Sequence, residues 1–174
     1  SKAVNPATMQ VRTVTEANVW HAISNRQGTQ MVADTNCPDH GIVLFDPREM
    51  CGPVRTLCYP DATNAGEHWK GPFPYNNGPI KVYAPQHTHP HPGFSPDGKR
   101  LVVSTTGNGT ITKENVVWIY DLNAGSALRR LTFSGFDIYP HWSLDGRDVI
   151  FASQVESGLF RQSADGAGSP ERLT

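Results

Sequence analysis

Apolar residues fall in short runs of four to six along this chain, and each run ends at a Gly-, Pro- or Asp-rich break. Ile42-Val43-Leu44-Phe45, Val116-Val117-Trp118-Ile119-Tyr120 and Val149-Ile150-Phe151-Ala152 are the clearest examples. Runs of this length, rich in β-branched and aromatic residues and bounded by turn-forming residues, predict strands. Asp-Gly stands at residues 97–98, 145–146 and 165–166, where tight turns between antiparallel strands are expected. The 16 glycines and 14 prolines suit many short strands better than helices.

The runs repeat. Residues 91–104 (His91-Pro92-Gly93-Phe94-Ser95-Pro96-Asp97-Gly98 onward) match residues 139–152 (Tyr139-Pro140-His141-Trp142-Ser143-Leu144-Asp145-Gly146 onward) at an offset of 48. A degenerate copy, residues 21–34, begins at His21 and passes through Asn25 and Gly28, offset by 70 from the middle copy. Each copy continues into an apolar strand, a turn and a short closing strand, such as Val54-Arg55-Thr56-Leu57 or Leu128-Arg129-Arg130-Leu131-Thr132. Repeated four-strand units of this kind predict an all-β fold, a segment of a β-propeller built from four-stranded antiparallel blades. An immunoglobulin-like sandwich does not explain a signature that recurs at the same place in every unit.

Residues 16–58 form the first blade in this reading, 86–132 the second and 133–174 the third, with an insertion loop at 59–85. Residues 10–15 resemble the closing strand of a preceding blade, so one strand and about three blades are expected in a single partial propeller, 1–174. Propellers usually close with four to eight blades. A larger propeller, an open arc or closure by self-association is therefore expected, because unpaired strand edges favour association.

Candidate chemistry concentrates at the opening of the second blade. Gln86-His87-Thr88-His89-Pro90-His91-Pro92 places three imidazoles and a carboxamide within six residues. Pro90 and Pro92 predict an extended segment. A strand would align His87, His89 and His91 on one face, whereas a polyproline-like segment would align Gln86 with His89. His21 occupies the repeat position of His91, and Tyr139 takes that position in the third blade, so the fold does not itself demand histidine there. Equivalent positions of adjacent blades lie near one another, which makes His21, Gln86, His89 and His91 a candidate metal set. Imidazoles alone suit zinc, and an added amide oxygen suits a harder divalent ion such as manganese. The competing reading is polar residues solvating a blade edge.

Formal charge is −1 without a Lys/Arg run, so no nucleic-acid or anionic-membrane partner is expected. No apolar stretch approaches the roughly 20 residues of a membrane span, and residues 1–6 lack the apolar core of a signal peptide. The three cysteines, Cys37, Cys51 and Cys58, allow at most one intrachain disulfide and read as buried free thiols.

The Gln86-x-x-His89-Pro90-His91-Pro92 opening and the blade from His21 to Asp34 resemble the oligogalacturonate lyases, pectin-degrading enzymes on a seven-bladed propeller. The resemblance covers about residues 18–104; the third blade resembles TolB-like propellers more generally. It implies manganese, or another divalent metal, on His21, Gln86, His89 and His91, with His87 spare. It also implies β-elimination from oligogalacturonides, and either a cytoplasmic or a periplasmic location. The family's base is an arginine of an upstream blade, and no residue of this chain is assigned that role, so the catalyst is expected to be incomplete here. Arg12 and Arg26 read as solvated surface charges. Trp69 and Tyr75 of the insertion loop are candidates to pack against sugar faces, against the alternative of ordinary packed aromatics. A non-enzymatic TolB-like module that binds a protein partner is the competing function. A prolyl-oligopeptidase-like propeller lacks support without a Gly-x-Ser-x-Gly elbow.

Overall fold

The computed structural model describes residues 1–35, 41–58, 90–105, 114–124, 128–133 and 135–174. All regular structure among these residues is β. The first blade is a meander of β3 (Val19–Ser24), β4 (Met31–Thr35), β5 (Ile42–Phe45) and β6 (Arg55–Cys58). The second comprises β7 (Gly93–Phe94), β8 (Arg100–Thr105), β9 (Val116–Asp121) and β10 (Arg129–Arg130). The third is β11 (Asp137–Trp142), β12 (Asp148–Ser153), β13 (Gly158–Ser163) and β14 (Glu171–Arg172). Each is a four-stranded antiparallel sheet in chain order, which is the organisation of propeller blades. The insertion loop, 59–85, lies outside the described residues.

From the sequence one closing strand is expected ahead of the first blade. The structure has two, β1 (Lys2–Val4) and β2 (Val11–Thr13), paired antiparallel with Lys2 opposite Thr13. Three residues are too few to display an alternation, so β1 leaves no periodic signal in the sequence. Arg12, expected as a solvated charge, instead reaches across this junction. Its guanidinium donates to the carbonyl of Glu49 at 2.7 Å and to that of Pro47, tying the hairpin to the first blade.

The turn between the first two strands of each blade explains the repeated signature. The Ser95 hydroxyl donates to Asp97 at 2.6 Å and accepts the Arg100 amide at 2.9 Å. Ser143 does the same with Asp145 at 2.7 Å and the Asp148 amide at 2.9 Å. In the degenerate copy the Asn25 carboxamide oxygen alone accepts the amides of Thr29, at 2.9 Å, and Gln30, at 3.2 Å. The residue after each turn centre must enter the left-handed region, and Gly98 and Gly146 do so at φ 70°.

Packing follows from strand alternation. On β8, Leu101 and Val103 face the first blade's Val32, Ile42 and Leu44. Val102, between them, faces the third blade's Val149, Phe151 and Phe160. On β4 and β5, Ala33, Val43 and Phe45 face the hairpin through Val14 and Ala3. Middle strands are therefore apolar at successive positions because both faces are covered. Arg100 reinforces the second junction: its guanidinium lies 4.5 Å above the Trp142 ring and donates to the Gly146 carbonyl at 2.9 Å. On the third blade's far side the repeat partner of the fully buried Val117 is Leu159, which is 42 % exposed. Cys51 is exposed, against the expectation of a buried thiol, because it follows the turn after β5; Cys58 is partly buried. Burial pushes the Cys58 thiol up to about 11.

Two outcomes follow from this packing. Phe151→Ala is expected to cost about 3–5 kcal/mol in denaturant unfolding, whereas Leu159→Ala, on the exposed face of the same sheet, should cost under about 1 kcal/mol. The Ser95 hydroxyl holds the Asp97 carboxylate below the ordinary range. A depressed folded pKa contributes stability at higher pH and loses it as pH falls through the folded value. Asp97→Asn should therefore flatten the acid limb of a stability–pH curve below about pH 4 and leave its slope above about pH 6 unchanged.

Candidate metal centre

The first strands of successive blades touch one another, β3 against β7 and β7 against β11, so they form the inner rim of the arc. His21 lies in β3, at a bulge where Trp20 and His21 together oppose Asp34. Tyr139 lies in β11 at a second bulge, between Ile138 and His141. A bulge inserts one extra residue and re-aims side chains. His91 and Tyr139 both have left-handed backbones, at φ 42° and 53°, which non-glycine residues rarely adopt. Pro90 and Pro92 predict an extended segment here; the left-handed turn at His91 breaks it, and strand pairing starts only at Gly93.

These bends bring the equivalent positions together. The His21 and His91 ring centroids are 3.9 Å apart with a tilt of 34°, and His91 meets Tyr139 edge-on at 4.7 Å. Trp20 stacks on His21 at 5.2 Å and 20°. One position, repeated in three blades, thus builds a column of rings along the inner rim. Gln86, His87 and His89 lie outside the described residues, as do Trp69 and Tyr75. His141 is exposed on β11, the strand that carries Tyr139, and Arg26 is exposed at a turn.

Asp34 is the residue that sequence reasoning passes over. It is 3 % exposed, its Oδ1 accepts the His21 backbone amide at 2.6 Å, and its Oδ2 lies 2.9 Å from His21 Nδ1. The signal was available: position 34 corresponds to Ser104 and Ala152 in the other blades, so the carboxylate is peculiar to the blade that carries His21.

Two imidazole nitrogens that share one divalent ion at about 2.1 Å each stand about 3 Å apart. The structure brings two imidazole rings, His21 and His91, into contact on the inner rim. Among the described residues no group of three or more His, Cys, Asp or Glu is placed to hold a metal ion. What the described residues supply is a pair of imidazoles in contact, with a carboxylate behind one of them.

No family model matches the chain, and no curated protein matches it. Solved structures do. An oligogalacturonate lyase in complex with manganese superposes with a TM-score of 0.62 at 14 % identity, covering 98 % of this chain and 40 % of that one. Hydrazine synthase of Kuenenia stuttgartiensis gives 0.61 at 15 % identity over 99 % of this chain and 47 % of its own. The propeller domain of the Trilobed protease from Pyrococcus furiosus gives 0.54 at 11 % identity, over 91 % and 43 %. The chain spans less than half the length of each. At such identities the likeness establishes the fold: this is part of a β-propeller.

The left-handed backbone at His91 makes its own test. Asparagine tolerates that region and a β-branched residue does not. His91→Val is expected to be less stable than His91→Asn by about 1–2 kcal/mol in thermal or denaturant unfolding.

Proposed function

We propose that this chain is a lyase-like portion of a β-propeller that holds a divalent metal, manganese in the first instance, on His21, Gln86, His89 and His91. The reaction proposed is β-elimination from oligogalacturonides. The observation that carries the reading is the 3.9 Å contact of His21 with His91, two imidazoles at one repeat position on adjacent blades. The manganese complex of an oligogalacturonate lyase among the structural neighbours supports it.

A bound divalent cation would supply Lewis acidity toward a uronate carboxylate, which makes the adjacent C–H proton easier to remove. The chain's own residues would position that chemistry. His21 and His91 would offer ring nitrogens from two blades, so the geometry depends on the packing between blades. Tyr139 would close the side of the centre toward the third blade. No residue is assigned as the base.

Tyr139 also favours a second reading. It is 52 % exposed on the inner rim, where a third histidine is missing, and such a ring suits a protein-binding face of a non-enzymatic, TolB-like module.

Elemental analysis after equilibration with manganese and removal of free metal separates the two. Near one metal per chain is expected, falling to background in His21→Ala and in the His89→Ala/His91→Ala double variant. Unsaturated product formed from oligogalacturonides, and abolished by the same changes, would establish the lyase. A protein that takes up no manganese overturns the metal reading and leaves the partner-binding module.

A further inference from the structure

We propose that Asp34 is a positioning residue that fixes the ring orientation and tautomer of His21, so that His21 presents Nε2 toward a divalent cation at the inner rim. The inference rests on the metal reading above and names a residue outside the ligand set.

The geometry is specific. One carboxylate engages a single residue twice, accepting its backbone amide at 2.6 Å and meeting its ring Nδ1 at 2.9 Å. The first contact sets the strand at the bulge; the second sets the rotation of the ring about its side-chain bonds. Trp20 at 5.2 Å and His91 at 3.9 Å pack against the same imidazole and hold its plane. An ionised carboxylate can only accept hydrogen bonds. Nδ1 must then carry the hydrogen, and the lone pair of the neutral ring resides on Nε2.

The repeat supplies the second argument. At this point of the second strand the other blades carry Ser104, fully buried, and Ala152. The sheet therefore closes without a carboxylate at this position. Burying a carboxylate is costly unless it is paired and hydrogen-bonded. The cost is taken only in the blade whose rim residue is His21, and both carboxylate oxygens are spent on that residue. Metal-bound histidines generally donate their other ring N–H to a carboxylate or carbonyl, which orients the ring and raises its basicity. His21 with Asp34 has this arrangement; Tyr139, in the blade with Ala152, has no imidazole to orient.

Two measurements test it. In the metal-free wild type, a long-range ¹H–¹⁵N spectrum should report His21 as the Nδ1–H tautomer. An Nε2–H tautomer would overturn the assignment without reference to any metal. In manganese titrations followed by the electron paramagnetic resonance of free Mn²⁺, Asp34→Asn and Asp34→Ser should bind about 10–100-fold more weakly than wild type. Asp34→Ser installs the residue that the second blade already buries, so a folded variant is expected, checked by its unfolding midpoint. Asp34→Asn can donate to Nδ1, and should also shift His21 toward the Nε2–H form, a change that a purely structural role does not require. Wild-type affinity in both folded variants would sink the role of Asp34 while leaving the metal centre standing. Absence of manganese binding by the wild type would remove both.

Discussion

The packing of blade against blade is the constraint on which the rest depends. No sheet here has a core of its own: Leu101 and Val103 bury toward one neighbour and Val102 toward the other. A strand of the middle blade is therefore stable only between two others, and the apolar run is the signature of that double burial. Arg100, stacked on Trp142 and bonded to the Gly146 carbonyl, adds a polar latch at the rim of the same junction.

Because the blades are repeats, this packing also sets equivalent residues side by side. His21, His91 and Tyr139 are separated by 70 and 48 positions in the chain, yet their rings form one continuous contact series. A site built in this way inherits its spacing from the sheet-to-sheet distance. Its composition can vary blade by blade without disturbing the fold, as the change from imidazole to phenol at Tyr139 illustrates. Left-handed backbones at His91 and Tyr139 carry strain of about 1–3 kcal/mol each, which the surrounding blades must offset. Strain at the same repeat position in two blades, both on the inner rim, belongs to the shape of the rim itself.

The candidate centre joins two kinds of residue. His21 and His91 are visible as a motif because imidazoles are chemically conspicuous and recur in register. Asp34 is inconspicuous, one acidic residue at the end of an apolar strand, until its ring partner is seen 2.9 Å away. The hairpin formed by β1 and β2 was half-legible for a related reason. Residues 10–15 matched a closing strand elsewhere in the chain, whereas Lys2–Val4 is too short to match anything and is recognised only by its pairing.

By itself the sequence determined the all-β class, the three repeated units and the tight turns at Asp97-Gly98 and Asp145-Gly146. Each is a local or periodic property: strand alternation, a turn-forming dipeptide, a pattern that returns along the chain. Tertiary structure alone decided that His91 leaves the extended conformation its flanking prolines favour, that Arg12 ties the hairpin to the first blade, and that Asp34 holds His21. Those outcomes depend on bulges and on contacts between distant strands, where the energy of packing outweighs local preference.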